Sequence, residues 1–206
     1  MNKLIPIPDD QKRSDVNLIF GKRGYGKSLL TKTEILSQHP RIIIIDPLCE
    51  YEGCFTKHFY TLNDLYNYIS ENQVYRVSCS DVSKAEGIAQ LCFEKGDIHL
   101  VIEEAQAVLP ISQEPLSKTW SDIILRGRHR RVEFTAIAQR PSLVHINLRA
   151  QGTVLRVFYQ NEPRDLRWIE QVSGLQPEQV NTLRKGEYYE IRSGDYEKKR
   201  LTKITI

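Results

Sequence analysis

Apolar residues fall along the chain in two rhythms. Val16–Phe20, Arg41–Asp46 ("RIIIID") and Ile98–Ile102 are short apolar runs with almost no alternation, the pattern of parallel strands covered on both faces. Gln73–Ser78, Phe134–Ala138 and Thr153–Tyr159 read as further strands. Between them lie stretches with helical spacing: Lys27–Gln38, Thr61–Ser70, Asp81–Lys95, Glu162–Ser173 and Pro177–Leu183. Leu116, Trp120, Ile123 and Ile124 stand at i, i+4, i+7 and i+8, one stripe of another helix. Toward the end the rhythm changes. Glu187–Arg192 and Lys198–Ile206 flank "SGD", a turn signal, and predict a β-hairpin. The alternation of strand and helix predicts an α/β fold, a mainly parallel sheet with helices on both faces and a C-terminal hairpin.

The 206 residues suffice for one sizeable core. No linker, repeat or low-complexity tract divides them, so a single domain is expected over residues 1–206, with its core over about 15–160 and C-terminal helices and hairpin over about 161–206. Apolar content of 40% with 27% charged residues is an ordinary globular balance, which argues against a disordered or fibrous chain. A net charge of +3 neither demands nor excludes nucleic acid; the distribution of charge decides. No apolar run approaches the roughly 20 residues that span a bilayer. The opening "MNKLIPIPDDQKRSD" has too short an apolar core for a signal peptide, so a soluble, intracellular protein is expected. Cys49, Cys54, Cys79 and Cys92 form no CxxC pair. Cys49, Cys54 and His58 fit no standard zinc spacing, and all four cysteines read as reduced thiols.

The candidate chemistry starts at Gly21-Lys22-Arg23-Gly24-Tyr25-Gly26-Lys27-Ser28, followed by Leu29. It matches G-x-x-x-x-G-K-[ST] between a predicted strand and a predicted helix. Glycines let such a loop curl its N–H groups inward onto phosphate oxygens, and the following helix adds its positive end. Lys27 would reach the β- and γ-phosphates of ATP, and the Ser28 hydroxyl would ligate Mg²⁺. Glu103 and Glu104 follow the strand of "HLVIEEAQ", at the carboxyl end where ligands sit in open α/β sheets. Glu103 would hold Mg²⁺ through water, and Glu104 would orient and polarise the attacking water. Gln139 in "FTAIAQRPS" also ends a strand, where an amide can contact the γ-phosphate; the alternative is a simple turn before Pro141. Arg126, Arg128, His129, Arg130 and Arg131 crowd "LRGRHRRVEF". On a helix Arg126 would share one side with Arg130, and Arg128 another with Arg131. They suit a neighbour's ATP, DNA phosphates, or a solvated helix end that complements the dipole.

Together these motifs resemble the FtsK–HerA superfamily of P-loop DNA translocases. "GKRGYGKS" resembles its phosphate loop, "IIIIDPLCEY" its second-strand signature, "LVIEEAQ" its Walker B strand, and "AIAQRPS" its sensor motif, over about residues 15–160. The resemblance implies Gln139 as the polar sensor and Glu104 as the catalytic glutamate. It also implies Arg128 as the arginine finger that reaches a neighbouring subunit. The family commonly has Asp-Glu where this chain has Glu103-Glu104. "NEPRDLRWIEQVSG" through "VNTLRKGEYYEI" is similar, more narrowly, to genome-packaging ATPases of tailless icosahedral viruses with an internal membrane.

The resemblance implies an ATP- and Mg²⁺-dependent ring, a homohexamer, with ATP between subunits. The ring would drive double-stranded DNA, without base readout, into a preformed viral capsid. Capsid or portal-vertex proteins would be its partners, and the host cytoplasm or the virion packaging vertex its place. Lys84, Lys118 and the segment Ala107–Thr119 are candidate DNA contacts. The rival readings are a cellular, plasmid or filamentous-phage-type DNA translocase of the same superfamily and, from another class, a small-molecule P-loop kinase. A kinase would need a lid and an acceptor pocket and would not need Arg128 in trans.

Overall fold

The computed structural model describes residues 14–51, 53–54, 57–111 and 114–201. Among the described residues nine strands form one sheet: β1 (Val16–Phe20), β2 (Arg41–Ile45), β3 (Lys57–His58), β4 (Tyr75–Cys79), β5 (Ile98–Ile102), β6 (Val132–Ala138), β7 (Val154–Val157), β8 (Glu187–Arg192) and β9 (Asp195–Arg200). Their order is β3-β4-β2-β5-β6-β1-β7-β8-β9. β3 through β7 in that order are all parallel, while β8 and β9 are antiparallel. The helices are α1 (Lys27–Thr33), α2 (Leu62–Glu71), α3 (Ala85–Lys95), α4 (Lys118–Arg126), α5 (Ile146–Gln151), α6 (Pro163–Ser173) and α7 (Pro177–Asn181).

The unalternating apolar runs have their physical reason in the sheet's two covered faces. Leu18, Phe20, Ile43, Ile45, Leu100, Ile102, Phe134 and Ala136 point to one side, into a core with Ile88, Ile123, Leu166 and Ile169 from α3, α4 and α6. Ile19, Ile42, Ile44, Val101 and Ile137 point to the other, where Leu30 of α1 packs with Phe158 and Tyr188. Side chains that alternate across the strand are therefore apolar on both faces. The helices divide unevenly, with α1 and a 3₁₀ turn at Ile35–Ser37 supplying the second core.

At the amino end of the second face the strands carry polar residues that satisfy one another. Arg156, 2% exposed, donates to Asn17 Oδ1 (2.9 Å) and Glu190 Oε2 (2.8 Å). Asn17 Nδ2 donates to Glu133 Oε1 (3.1 Å), and His99 pairs with Thr135 (2.7 Å). Burial pushes the Glu133 carboxyl up to about 7 and the His99 imidazole down to about 3.

The predicted elements fall where the pattern put them, with shifts at their ends. The helix expected over Lys27–Gln38 is α1 followed by the 3₁₀ turn, and Leu116 precedes rather than joins α4. The second hairpin strand begins at Asp195, immediately after the turn at Ser193-Gly194, and not at Lys198. Residues 202–206 of that expected strand, and the N-terminal segment tested for a signal peptide, lie outside the described residues. β3 and α5 had no sequence signal, being two and six residues long.

Candidate active site

The parallel strands bring five turns to the sheet's carboxyl edge. β1, β6, β5 and β2 are successive neighbours. The segments that follow them are therefore side by side: Gly21–Gly26, Gln139, Glu103-Glu104, and Asp46 to Tyr51. Tyr159 and Gln160 follow β7 on the opposite flank of β1. Such an edge is where open α/β sheets hold ligands.

The loop after β1 is shaped by its glycines. Gly26 has φ 115°, and a Cβ there would stand 2.7 Å from a Leu201 methyl; a Cβ on Gly21 would meet Phe158 Cβ at 2.5 Å. Tyr25 stacks on Tyr159 with ring centroids 4.7 Å apart, and the Lys22 N–H donates to the Tyr159 carbonyl (3.0 Å), pinning the loop to the β7 flank. α1 then begins with no side-chain cap on its first N–H groups. Lys27, 7% exposed, donates to the Gly21 carbonyl (2.8 Å). Burial lowers its pKa, while Glu103, Glu104 and Glu50 pull the other way.

Opposite the lysine stand three carboxylates. Glu103, 2% exposed, accepts from the Tyr51 hydroxyl, and burial raises its carboxyl to about 7 against that hydrogen bond. Glu104 sits at φ 50°, a left-handed conformation uncommon for a residue with a side chain. Its carboxylate accepts from Gln139 Nε2 (3.2 Å) and from Gln106. Glu50 accepts from the Ser28 hydroxyl. A buried Asp46 builds the turn that carries Glu50 and Tyr51 by accepting both their backbone N–H groups, each at 3.0 Å. A cavity of about 470 Å³ lies among these groups, lined by Gly24, Gly26, Lys27, Ser28, Glu50, Glu103, Glu104 and Gln139, with Arg23, Leu29 and Leu48 at its margin.

Of the residues singled out in the sequence, Lys27, Ser28, Glu103, Glu104 and Gln139 thus line one cavity, with Gln139 in the bend that follows β6. Sequence reasoning gives Asp46, Glu50 and Tyr51 no role. Their signal is the "IIIIDPLCEY" signature, whose meaning for the site appears only once β2 is known to neighbour β5. Hard carboxylate and hydroxyl oxygens from Ser28, Glu50 and Glu103 suit Mg²⁺ by donor type.

The arginine cluster is elsewhere. α4 stops at Arg126, and Gly127–Arg130 is a 3₁₀ turn, so the expected pairing of Arg126 with Arg130 on one helix side does not form. Arg126 pairs with Asp122 (2.9 Å). Arg130 caps the end of α3 by donating to the Phe93 and Glu94 carbonyls. Arg128 is exposed at the amino end of β6, while Gln139 follows its carboxyl end. Seven strand residues at about 3.3 Å each separate the two by roughly 20 Å or more, beyond the reach of a side chain. Of the candidate DNA contacts, Lys84 pairs with Asp81 (3.7 Å) and Lys118 is exposed at the start of α4.

Neither a protein-family model nor a curated protein sequence matches the chain. Solved structures do. The genome packaging NTPase B204 of Sulfolobus turreted icosahedral virus 2, in complex with AMPPCP, matches with a TM-score of 0.77 and 22% identity over 91% of this chain and 98% of that one. VirB4 of Thermoanaerobacter pseudethanolicus matches with a TM-score of 0.64 and 13% identity over 97% of this chain and 92% of that one. The pCW3 conjugation coupling protein TcpA, with ATPgS, matches with a TM-score of 0.59 and 14% identity over 93% and 61%. Strand order, phosphate loop and neighbours agree on one architecture: the chain has the α/β fold of a P-loop NTPase, the fold shared by these packaging and conjugation proteins and the one the FtsK–HerA resemblance led us to expect.

Proposed function

We propose that the protein is an ATPase that translocates double-stranded DNA, packaging a viral genome into a preformed capsid. The observation that carries the reading is the single cavity in which Lys27, Ser28, Glu103, Glu104 and Gln139 meet. The backbone of Gly21–Ser28 cradles the triphosphate. Lys27 exchanges the Gly21 carbonyl for β- and γ-phosphate oxygens. Mg²⁺, held by Ser28 and Glu103 with Glu50 beside them, would supply charge neutralisation on the phosphates. Glu104, placed by its left-handed backbone and held by Gln139, orients the attacking water and accepts its proton. Gln139 then senses whether the γ-phosphate is present. Arg128 serves the next subunit's site, since its own lies at the other edge of the sheet. That need for a neighbour supports assembly into a ring; the ring would be a homohexamer, with capsid or portal-vertex proteins as partners in the host cytoplasm or at the packaging vertex.

The greater likeness to B204 than to VirB4, in TM-score (0.77 against 0.64) and identity (22% against 13%), favours packaging over conjugation. The test is ATP turnover with and without double-stranded DNA. Stimulation by DNA of any sequence supports the motor; turnover that ignores DNA and follows a small acceptor supports the kinase. Co-purification with capsid protein then separates packaging from plasmid transfer, where no capsid protein takes part.

A further inference from the structure

A second cavity, of about 360 Å³, opens between α5 and α6. Arg149, Arg164 and Arg167 line it, with Trp168 and Ser142. Its one carboxylate is already engaged: Asp165, 1% exposed, accepts from Arg140 Nε (2.6 Å) and from the Ser142 N–H (2.9 Å). Among the described residues no carboxylate lies within ion-pair distance of the other three arginines. Arg149 lies over the Trp168 ring at 5.3 Å, and its buried Nε has no hydrogen-bond partner among the described residues. Burial first, and Arg164 second, lower its pKa from the ordinary arginine value against the pull of Asp165. Three guanidinium groups thus face one carboxylate that Arg140 already holds, and a concave opening with that excess of positive charge suits an anion.

We propose that this pocket binds backbone phosphates of the translocated DNA; the proposal rests on the DNA-motor reading above. A polymer fits better than a single nucleotide. Arg164, Arg167 and Gln171 stand at i, i+3 and i+7, a row along one side of α6 about 10 Å long and not a point. The pocket has no glycine loop, and its carboxylate is not free to carry a metal, so a metal-bound triphosphate would lack both its counterparts. Arginines that meet phosphates and no base edges would bind without regard to sequence. The pocket is also joined to the ATP site by direct contacts. Trp168 packs edge-on against Phe20, the last residue before the phosphate loop, at 5.9 Å. Arg140, which holds Asp165, is the residue after Gln139, and Gln160 donates to the Gln139 carbonyl (2.6 Å).

The test uses the full chain and a labelled double-stranded DNA of mixed sequence, titrated at several salt concentrations. Arg164→Gln, Arg167→Gln and the double variant change exposed side chains; Lys95→Gln, at the amino edge of the sheet, is the control. The expected result is weaker binding by each arginine variant and a salt dependence shallower by about 0.9 in log–log slope for each phosphate no longer neutralised. The control should match the wild type. If the wild type binds DNA and the double variant binds with the same affinity and slope, the pocket assignment is overturned while the motor reading stands. If the control loses as much as the variants, the effect is diffuse charge and the assignment fails. If DNA binding is unchanged but ATP turnover falls only in assembled rings, the pocket serves a neighbour's nucleotide instead. If the wild type binds no DNA, the motor reading fails and takes this one with it.

Discussion

Arg128→Ala ties activity to assembly. The side chain is exposed, so its removal should cost little stability. Its own ATP site is roughly 20 Å or more away along β6, so any catalytic contribution must go to another subunit. A finger of this kind is worth about 10³–10⁵ in rate in other P-loop enzymes, and the variant should bind ATP normally yet turn it over that much more slowly. The decisive assay mixes it with Glu104→Gln under conditions of subunit exchange. Each variant alone is dead. In a mixed ring, an interface works when a subunit with intact Glu104 faces a neighbour with intact Arg128. For random mixing in a closed ring that is about a quarter of interfaces at equal proportions, falling to zero at either extreme. Turnover plotted against mixing ratio should therefore be an arch peaking near one quarter of the wild-type rate, if interfaces fire independently. A flat line at zero in rings shown to be mixed refutes the trans arrangement. So does full activity of Arg128→Ala alone, and if Arg126→Ala is the dead variant instead, the finger is misplaced by half a helical turn.

Lys27→Ala should abolish hydrolysis and weaken binding of a fluorescent ATP analogue, because the cavity's buried cation is removed; near-normal turnover would refute the phosphate-loop assignment. Glu104→Gln should retain ATP and stall hydrolysis, whereas Glu103→Gln should chiefly raise the Mg²⁺ concentration needed; the opposite outcome in turnover and Mg²⁺ titrations reverses the two roles. Glu133→Gln tests the buried polar cluster. Burial raises the folded-state carboxyl above its ordinary 4.5 to about 7, so its stability contribution is whole below about pH 4.5 and is lost as pH rises through about 7. The glutamine should flatten that decline, gaining up to about 3 kcal/mol above pH 7 in denaturant melts; parallel pH profiles would show that Glu133 ionises freely.

The sheet and the catalytic loops were legible because each local pattern had one physical meaning. A run such as "RIIIID" has no polar face to spare and must be covered on both sides. A glycine loop ahead of a Lys-Ser helix start has few uses besides phosphate. Glu50 and Tyr51 were legible as part of the "IIIIDPLCEY" motif but not in their role, since their place opposite Ser28 and Glu103 depends on β2 lying next to β5, a long-range pairing. The arginine cluster misled for a related reason. Helical spacing put Arg126 with Arg130, but buried Gly127 packs near Val132 and the backbone tightens into a 3₁₀ turn, leaving Arg130 to cap α3. The pocket between α5 and α6 left no trace in the sequence, because α5 is too short to show a period and its arginines come from two separate helices.

The last strand bears on how copies can stand beside one another. Among the described residues β9 is the last strand of the sheet, and Lys198, Lys199 and Arg200 follow one another along it. Unpaired strand edges invite another chain to add its own strand, and charged side chains, lysine above all, are what discourage it. In the proposed ring, then, neighbours would meet through side chains rather than by zipping their sheets into one. Contacts of that kind can loosen and re-form at each turnover, so subunits would slide past one another without either sheet having to unravel.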